Sequence, residues 1–292
     1  MARVKQEHVV CRAQRVFYVL GLRRSGNHAF CNWLGCAAAP ALFCNNGHLW
    51  PTDLIEKGVT WSLRKKETVQ RLESLPEFGS IIYGLENFYP SQLKKRYAVV
   101  RRSYHGCLSE KDLDSKTIFL LRDPFNTFAS ILRHNTQGKD SFCLYANGQF
   151  AGRWTNVARS FLCADGRRSI GVDYNMWAID QSYREAICAM LGLEFTDVGF
   201  DHVPAFGHGS SFSRIRQMTD VERQKLNTRY EELLSNENEA YQLWLATDSW
   251  AFWWTANRMY PALATYVREQ LAKMEKRYRW KYRYASELGQ LP

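Results

Sequence analysis

Four short, mostly apolar runs punctuate the first two thirds of the chain: residues 16–20 (VFYVL), 80–85 (SIIYGL), 116–121 (KTIFLL) and 170–174 (IGVDY). Such runs, rich in β-branched and aromatic residues and nearly free of polar alternation, predict strands buried on both faces, as in a parallel sheet. Between them the periodicity changes. Ala29, Phe30, Trp33 and Leu34 take up helical spacing just after the first strand. Residues 35–43 are small and apolar, a helix end or a second buried segment, followed by the turn-prone Asn45-Asn46-Gly47. Residues 51–78 are polar, with Leu63, Val69, Leu72 and Leu75 as a sparse apolar face, and predict a peripheral helix. Further helices are predicted around residues 154–162 and on the face Tyr183, Ile187, Leu191, the latter closed by Gly192. From Thr219 onward the chain reads as helical and dense in aromatics. Strands alternating with helices give an α/β class, a parallel β-sheet flanked by helices with a helical C-terminal third. The 292 residues suffice for one sizeable core, and the expectation is a single domain, 1–292.

Composition narrows the partners rather than the fold. The formal charge of +10 points to an acidic ligand, an anionic surface or nucleic acid, and a polyanionic nucleotide would suffice. The eight cysteines, at 11, 31, 36, 44, 107, 143, 163 and 188, show no CxxC pairs and no His at zinc spacing. They read as free, largely buried thiols in a reducing compartment, with no metal expected. The charged N-terminal stretch has no long apolar region, and no window approaches 18 apolar residues. A cytoplasmic enzyme, with no membrane partner, is expected. The run KMEKRYRWKYRY near the C-terminus interleaves bases with aromatics, a composition shared by nucleic-acid and membrane-surface patches and by solvated basic helices.

The chemistry gathers where the first strand ends. Gly21 is followed by Leu22, Arg23, Arg24, Ser25, Gly26, Asn27 and His28, and then by the helix. A strand, a basic glycine loop and a helix start make an anion site, because the first helical turn leaves N–H groups without intrahelical acceptors and its dipole favours negative charge. Taken alone, the loop also reads as a surface turn with a helix cap at Ser25. It does not fit GxxxxGK[ST]: Gly26 is followed by Asn27 and His28, with neither the lysine nor the magnesium-binding hydroxyl of nucleoside triphosphatases. The third strand leads into Arg122-Asp123-Pro124, with Ser130 eight residues after the Arg, and Pro124 suits the first turn of a helix. The second strand ends in Glu86, at the sheet edge where α/β proteins bind ligands.

The loop resembles the 5′-phosphosulfate loop of the sulfotransferase family, typically Pro-Lys-Ser-Gly-Thr-Thr, and Arg122, Pro124 and Ser130 match the spacing with which that family binds the 3′-phosphate. The resemblance spans roughly residues 15–213 and implies a P-loop-like sulfotransferase fold with 3′-phosphoadenosine 5′-phosphosulfate (PAPS) as donor and adenosine 3′,5′-bisphosphate (PAP) as product. By it, Arg23, Arg24, Ser25, Gly26, Asn27 and His28 hold the phosphosulfate. Arg122 and Ser130 hold the 3′-phosphate, and Tyr174, Ser211 and Phe212 border the adenine. Arg24 stands where the family has a lysine, a planar fork in place of a point charge. No Arg-Lys-Gly loop is found near the C-terminus, which leaves one wall of the cofactor site unassigned. The catalytic set implied is Arg24, with His28 in support, and Glu86 as base, His48, His105 and His134 being reserves. The acceptor expected is a small molecule; nucleic acid is not the expected partner. A small-molecule or nucleotide kinase, a nucleic-acid-binding protein and a catalytically inactive cofactor binder are the competing classes.

Overall fold

The computed structural model describes residues 13–45, 53–56, 59–62, 78–87, 114–135, 149–201 and 225–287. They fall into two compact units, one within Met1–Arg122 and Asn156–Gln224, the other within Asp123–Thr155 and Lys225–Pro292.

The first unit is built on a sheet of seven strands among the described residues. These are β1 (Ala13–Gly21), β2 (Ala41–Cys44), β3 (Asp53–Glu56), β4 (Val59–Ser62), β5 (Phe78–Glu86), β6 (Asp114–Leu121) and β7 (Ser169–Asp173), in the spatial order β4-β3-β2-β5-β1-β6-β7. β2, β5, β1, β6 and β7 run parallel, and β3 and β4 add an antiparallel edge. All four strands expected from the apolar runs are present, and the α/β class holds. Residues 53–56 and 59–62 correct the reading of a peripheral helix: they are the antiparallel pair β3 and β4. Leu54-Ile55 and Val59-Thr60-Trp61 are β-formers on either side of Lys57-Gly58, a local signal that the longer polar window outweighed. Residues 63–77 lie outside the described segments.

Helix α1 (Asn27–Ala37) follows β1 and buries Phe30, Trp33 and Leu34, as its spacing predicts. Strand β7 ends one residue early. Tyr174, expected as the last residue of that strand, is instead the first of α4 (Tyr174–Ile179), because the Asp173 carboxylate caps the helix by accepting from the N–H groups of Asn175 at 2.8 Å and Met176 at 3.4 Å. Helix α5 (Gln181–Leu191) ends at Gly192 with φ 65°, as expected for a left-handed cap. Its last carbonyls accept from Lys116 Nζ (Met190 O, 2.6 Å) and Arg15 Nη1 (Gly192 O, 2.8 Å), binding α5 to the strands beside it. Cys31, Cys44 and Cys188 are buried free thiols and Cys163 is exposed. Burial, with a smaller contribution from the Glu86 carboxylate, pushes the Cys31 thiol well above its ordinary range.

The chain after α5 is pinned back onto the unit by buried Arg184. Its guanidinium forks onto the Asp197 carboxylate at 2.8 and 2.9 Å, donates to the Trp177 carbonyl at 2.9 Å and lies 3.7 Å from the Phe200 ring centroid. On the same segment, Asn32 Nδ2 donates to Gly199 O at 3.0 Å and Trp33 Nε1 to Thr196 O at 2.8 Å. One clamp therefore fixes residues 196–200 on α1 and α5.

The second unit is helical: α2 (Pro124–Asn135), the start of α3 (Gln149–Leu162), α6 (Arg229–Ser235), α7 (Glu237–Ala246), α8 (Trp250–Met259) and α9 (Pro261–Glu287). Its interior is aromatic, with Phe252 touching Phe125, Phe150 and Trp154 at centroid distances of 6.2, 6.3 and 5.4 Å. No helix among the described residues is long and apolar enough to cross a membrane.

Arg184→Ala removes a buried cation that satisfies three partners, and it should lower stability by about 2–4 kcal/mol. Urea denaturation measures this, and an unchanged midpoint would show that residues 196–200 are held by other contacts.

Candidate functional site

β1 lies between β5 and β6, and the connections on its two sides lead to opposite edges of the sheet, so its carboxyl end is the switch point at which α/β sheets bind ligands. The loop Leu22–Gly26 occupies that point. It is folded around a single carbonyl, Leu22 O, which accepts from Ser25 N at 3.1 Å, Ser25 Oγ at 2.6 Å and Asn27 Nδ2 at 3.2 Å. Ser25 and Asn27 are both 2% exposed, so their polar side chains shape the loop from within. The tight fold requires glycine at 21, where a Cβ would run into Asn27 Oδ1 and come within 2.8 Å of Ser25 Oγ. Arg24 and Gly26 lie in the left-handed region, at φ 70° and 93°. Gly26, not Ser25, is the N-cap of α1, and no side-chain hydrogen bond caps that helix. Its first turn holds no acidic residue, which leaves the positive end of the dipole facing the loop.

Gly26 also touches Tyr174. A Cβ at Gly26 would occupy the space of the Tyr174 ring, which packs directly on the loop backbone. Behind the ring stands Trp177, with centroids 5.2 Å apart. To its side, the Arg122 guanidinium lies 5.5 Å from the Tyr174 centroid. Arg122 is 2% exposed, and its Nη1 is 3.5 Å from Arg24 O. The structure thus brings Arg24, Gly26, Arg122 and Tyr174, drawn from three strand ends, into one cluster.

Glu86 pairs in register with Gly21 and reaches the loop from the β5 side. Its Oε1 is 3.5 Å from Asn27 Nδ2 and 4.0 Å from His28 Nε2, with 12% of the Glu86 side chain and 24% of the His28 side chain exposed. The His28 Nε2 also lies 3.0 Å from Asn45 Oδ1, an acceptor, so Nε2 is the donor of that contact. Asn87, at φ 60°, closes this side: its N–H donates to Gly21 O at 3.0 Å and its Oδ1 accepts from Arg23 N at 3.1 Å.

In the second unit, Ser130 is 2% exposed on α2, two turns after Pro124 as predicted, and Arg229 Nη1 lies 3.5 Å from its Oγ. Asp123 caps α2 through Asn126 N at 2.8 Å, and its other oxygen accepts from Asn126 Nδ2 at 2.9 Å. His134 falls on α2, with its side chain outside the described set. His48, His105, Ser211 and Phe212 also lie outside the described residues. Sequence reasoning missed Asn45, Asn87 and Arg229. Asn87 carried a signal, an Asn directly after a strand, whereas Asn45 and Arg229 act only through partners distant in sequence.

No protein-family model matches the chain, and no curated protein does. Solved structures similar to it include mouse sulfotransferase SULT7A1 complexed with PAP, at 13% identity, TM-score 0.40, covering 81% of this chain and 89% of that one. The sulfotransferase domain from the Synechococcus PCC 7002 olefin synthase follows at 19% identity and TM-score 0.34, covering 75% and 95%. The sulfotransferase domain from the curacin biosynthetic pathway has 12% identity and TM-score 0.37, covering 75% and 98%.

Gly26→Ala must both adopt a left-handed backbone and displace the Tyr174 ring, and a loss of about 1–3 kcal/mol is expected. Adding Tyr174→Ala should return the steric part. Strictly additive effects in a double-mutant cycle would mean that the two residues do not touch.

Proposed function

We propose that the protein is a sulfotransferase that moves a sulfuryl group from PAPS to a hydroxyl or amine of a small-molecule acceptor in the cytoplasm. The observation that carries this reading is the cluster of Arg24, Gly26, Arg122 and Tyr174 at the carboxyl end of β1, with Glu86 on its opposite side. Its donor set suits a polyanionic nucleotide: an uncapped helix start without acids, and two arginines bonded through Arg24 O. Arg23, Arg24, Ser25, Gly26, Asn27 and His28 would hold the 5′ end, Asn27 and His28 through the backbone N–H groups of the first helical turn. Arg122 would hold the 3′-phosphate and Tyr174 the adenine. Ser130, the other residue that the resemblance assigns to the 3′-phosphate, belongs to the second unit, where Arg229 Nη1 lies 3.5 Å from its Oγ.

When bound, PAPS supplies an activated sulfuryl group on a phosphate leaving group. Arg24 holds the negative charge that grows at the leaving oxygen. Glu86, largely shielded but reaching the loop edge, takes the proton of the acceptor. His28 Nε2 already donates to Asn45 Oδ1, so this nitrogen keeps its proton and steadies charge near Glu86.

PAP should raise the melting temperature by mass action, and ATP, which lacks a 3′-phosphate, should raise it less. Arg122→Ala should abolish that preference; equal shifts from the two nucleotides in the wild-type protein would remove Arg122 from 3′-phosphate recognition. Turnover should respond differently to Glu86→Gln. PAP affinity should persist while transfer of labelled sulfate onto a panel of alcohols, phenols and amines falls roughly 10²–10⁴-fold. A Glu86→Gln protein with normal kcat would assign the base elsewhere.

A further inference from the structure

The second unit displays an aromatic and cationic stripe that the proposed reaction does not use. On α8, Trp250 is 78% exposed and Trp254 48% exposed, unusual values for the side chain that gains most from leaving water. One helical turn apart, the two indoles stack with centroids 6.4 Å apart and planes 26° from parallel, and the Arg258 guanidinium lies 5.6 Å from the Trp254 centroid. Leu245 on α7, 42% exposed, adds to the apolar surface of the unit. A second Arg–Trp pair stands alongside, with Arg268 of α9 6.0 Å from the Trp253 centroid, at the rim of a cleft of about 320 Å³ between α8 and α9.

The sequence carries a strong positive charge in the helix that follows. Helix α9 begins two residues after α8 ends and returns along it, since the cleft is lined by Trp253 and Asn257 together with Arg268, Glu269 and Ala272. Trp250, a turn before Trp253, therefore stands toward the part of α9 that begins at Lys273. From there to Tyr284 the helical span carries six Lys and Arg against one Glu, interleaved with Tyr278, Trp280, Tyr282 and Tyr284.

We infer that this face docks peripherally on an anionic lipid bilayer, with Trp250 and Trp254 seated at headgroup depth, Arg258 beside them, and the net positive charge of the sequence from Lys273 onward adding long-range attraction. Indoles favour that interface, and basic residues within a Debye length of anionic headgroups add attraction without any spanning segment. The stacking geometry favours lipid over single-stranded nucleic acid, since it leaves the outer face of Trp250 as the one open indole face of the pair. A base stacks on an open ring face, whereas one face of Trp254 is turned to Trp250 and its ring also carries Arg258. What the pair presents is a block of apolar edges beside a cation. The inference is independent of the sulfotransferase reading and makes no use of its residues.

The test is co-sedimentation of the full chain with vesicles of phosphatidylcholine alone or with about 30% phosphatidylserine, at physiological salt. The wild-type protein should sediment with the anionic vesicles and remain in solution with the neutral ones. The double variant Trp250→Ser/Trp254→Ser should bind the anionic vesicles about tenfold or more weakly, with its circular dichroism unchanged. Arg258→Glu, which keeps both indoles, should weaken binding as well and serves where the double variant misfolds. Equal sedimentation of wild type and both variants overturns the inference, as does equal binding to neutral and anionic vesicles or no binding at all. It is also overturned if a dT oligonucleotide binds through Trp250 while vesicles do not compete.

Discussion

The candidate site depends on one contact, the Tyr174 ring lying against the bare backbone of Gly26. Only a residue without a Cβ leaves room for the ring, and only glycine accepts a φ of 93° at small cost. Because Tyr174 begins α4 and leans on Trp177, the contact ties the loop after β1 to the end of β7 and, through Trp33 and Phe30, to the interior face of α1. Arg122 reaches the same ring from the end of β6. Three strand ends are therefore held in register by one aromatic plane, and the left-handed turn at Arg24 and Gly26 is over-determined by its surroundings.

What the sequence revealed follows from where the information is local. The strands at residues 16–20, 80–85, 116–121 and 170–174 were legible because a buried parallel strand must be almost continuously apolar. The αL end of α5 at Gly192 was legible because left-handed caps select glycine. The β3–β4 pair was lost because its pairing with β2 at the sheet edge is a tertiary contact, and a long polar window of good helix formers drew the reading toward a helix. The boundary at Tyr174 was missed for a smaller reason: aspartate at 173 reads as a strand-end acid, whereas its carboxylate caps the following helix.

In the site, the residues that contact a ligand in the proposed reading were legible, and those that hold them in place were not. In that reading, basic residues beside glycines after a strand mark the anion site from local sequence alone. Asn45, which orients the His28 ring, and Arg229, which faces Ser130, act at sequence separations of 17 and 99 residues. No spacing rule reaches that far. The Arg184 clamp is similar in kind: the arginine looks like an exposed helix residue until Asp197 and Phe200 are brought over it.

The geometry also accounts for how far this loop departs from the sulfotransferase pattern. Asn27 and His28 stand where the family has two threonines, but the Asn27 side chain turns inward to Leu22 O and the His28 ring turns aside to Asn45. Neither side chain is then the group that the loop offers an anion. In the proposed reading the backbone N–H groups at the start of α1 are, and they survive replacement of the side chains as long as Gly21 and Gly26 preserve the turn. At position 24 the side chain itself matters in the proposed reading, and there the cation is kept. Arginine in place of lysine exchanges a mobile ammonium for a planar fork, while the Arg24 carbonyl, on the other side of the same residue, meets Arg122. In the proposed reading, backbone geometry fixes where the anion sits, and position 24 supplies the cation beside it.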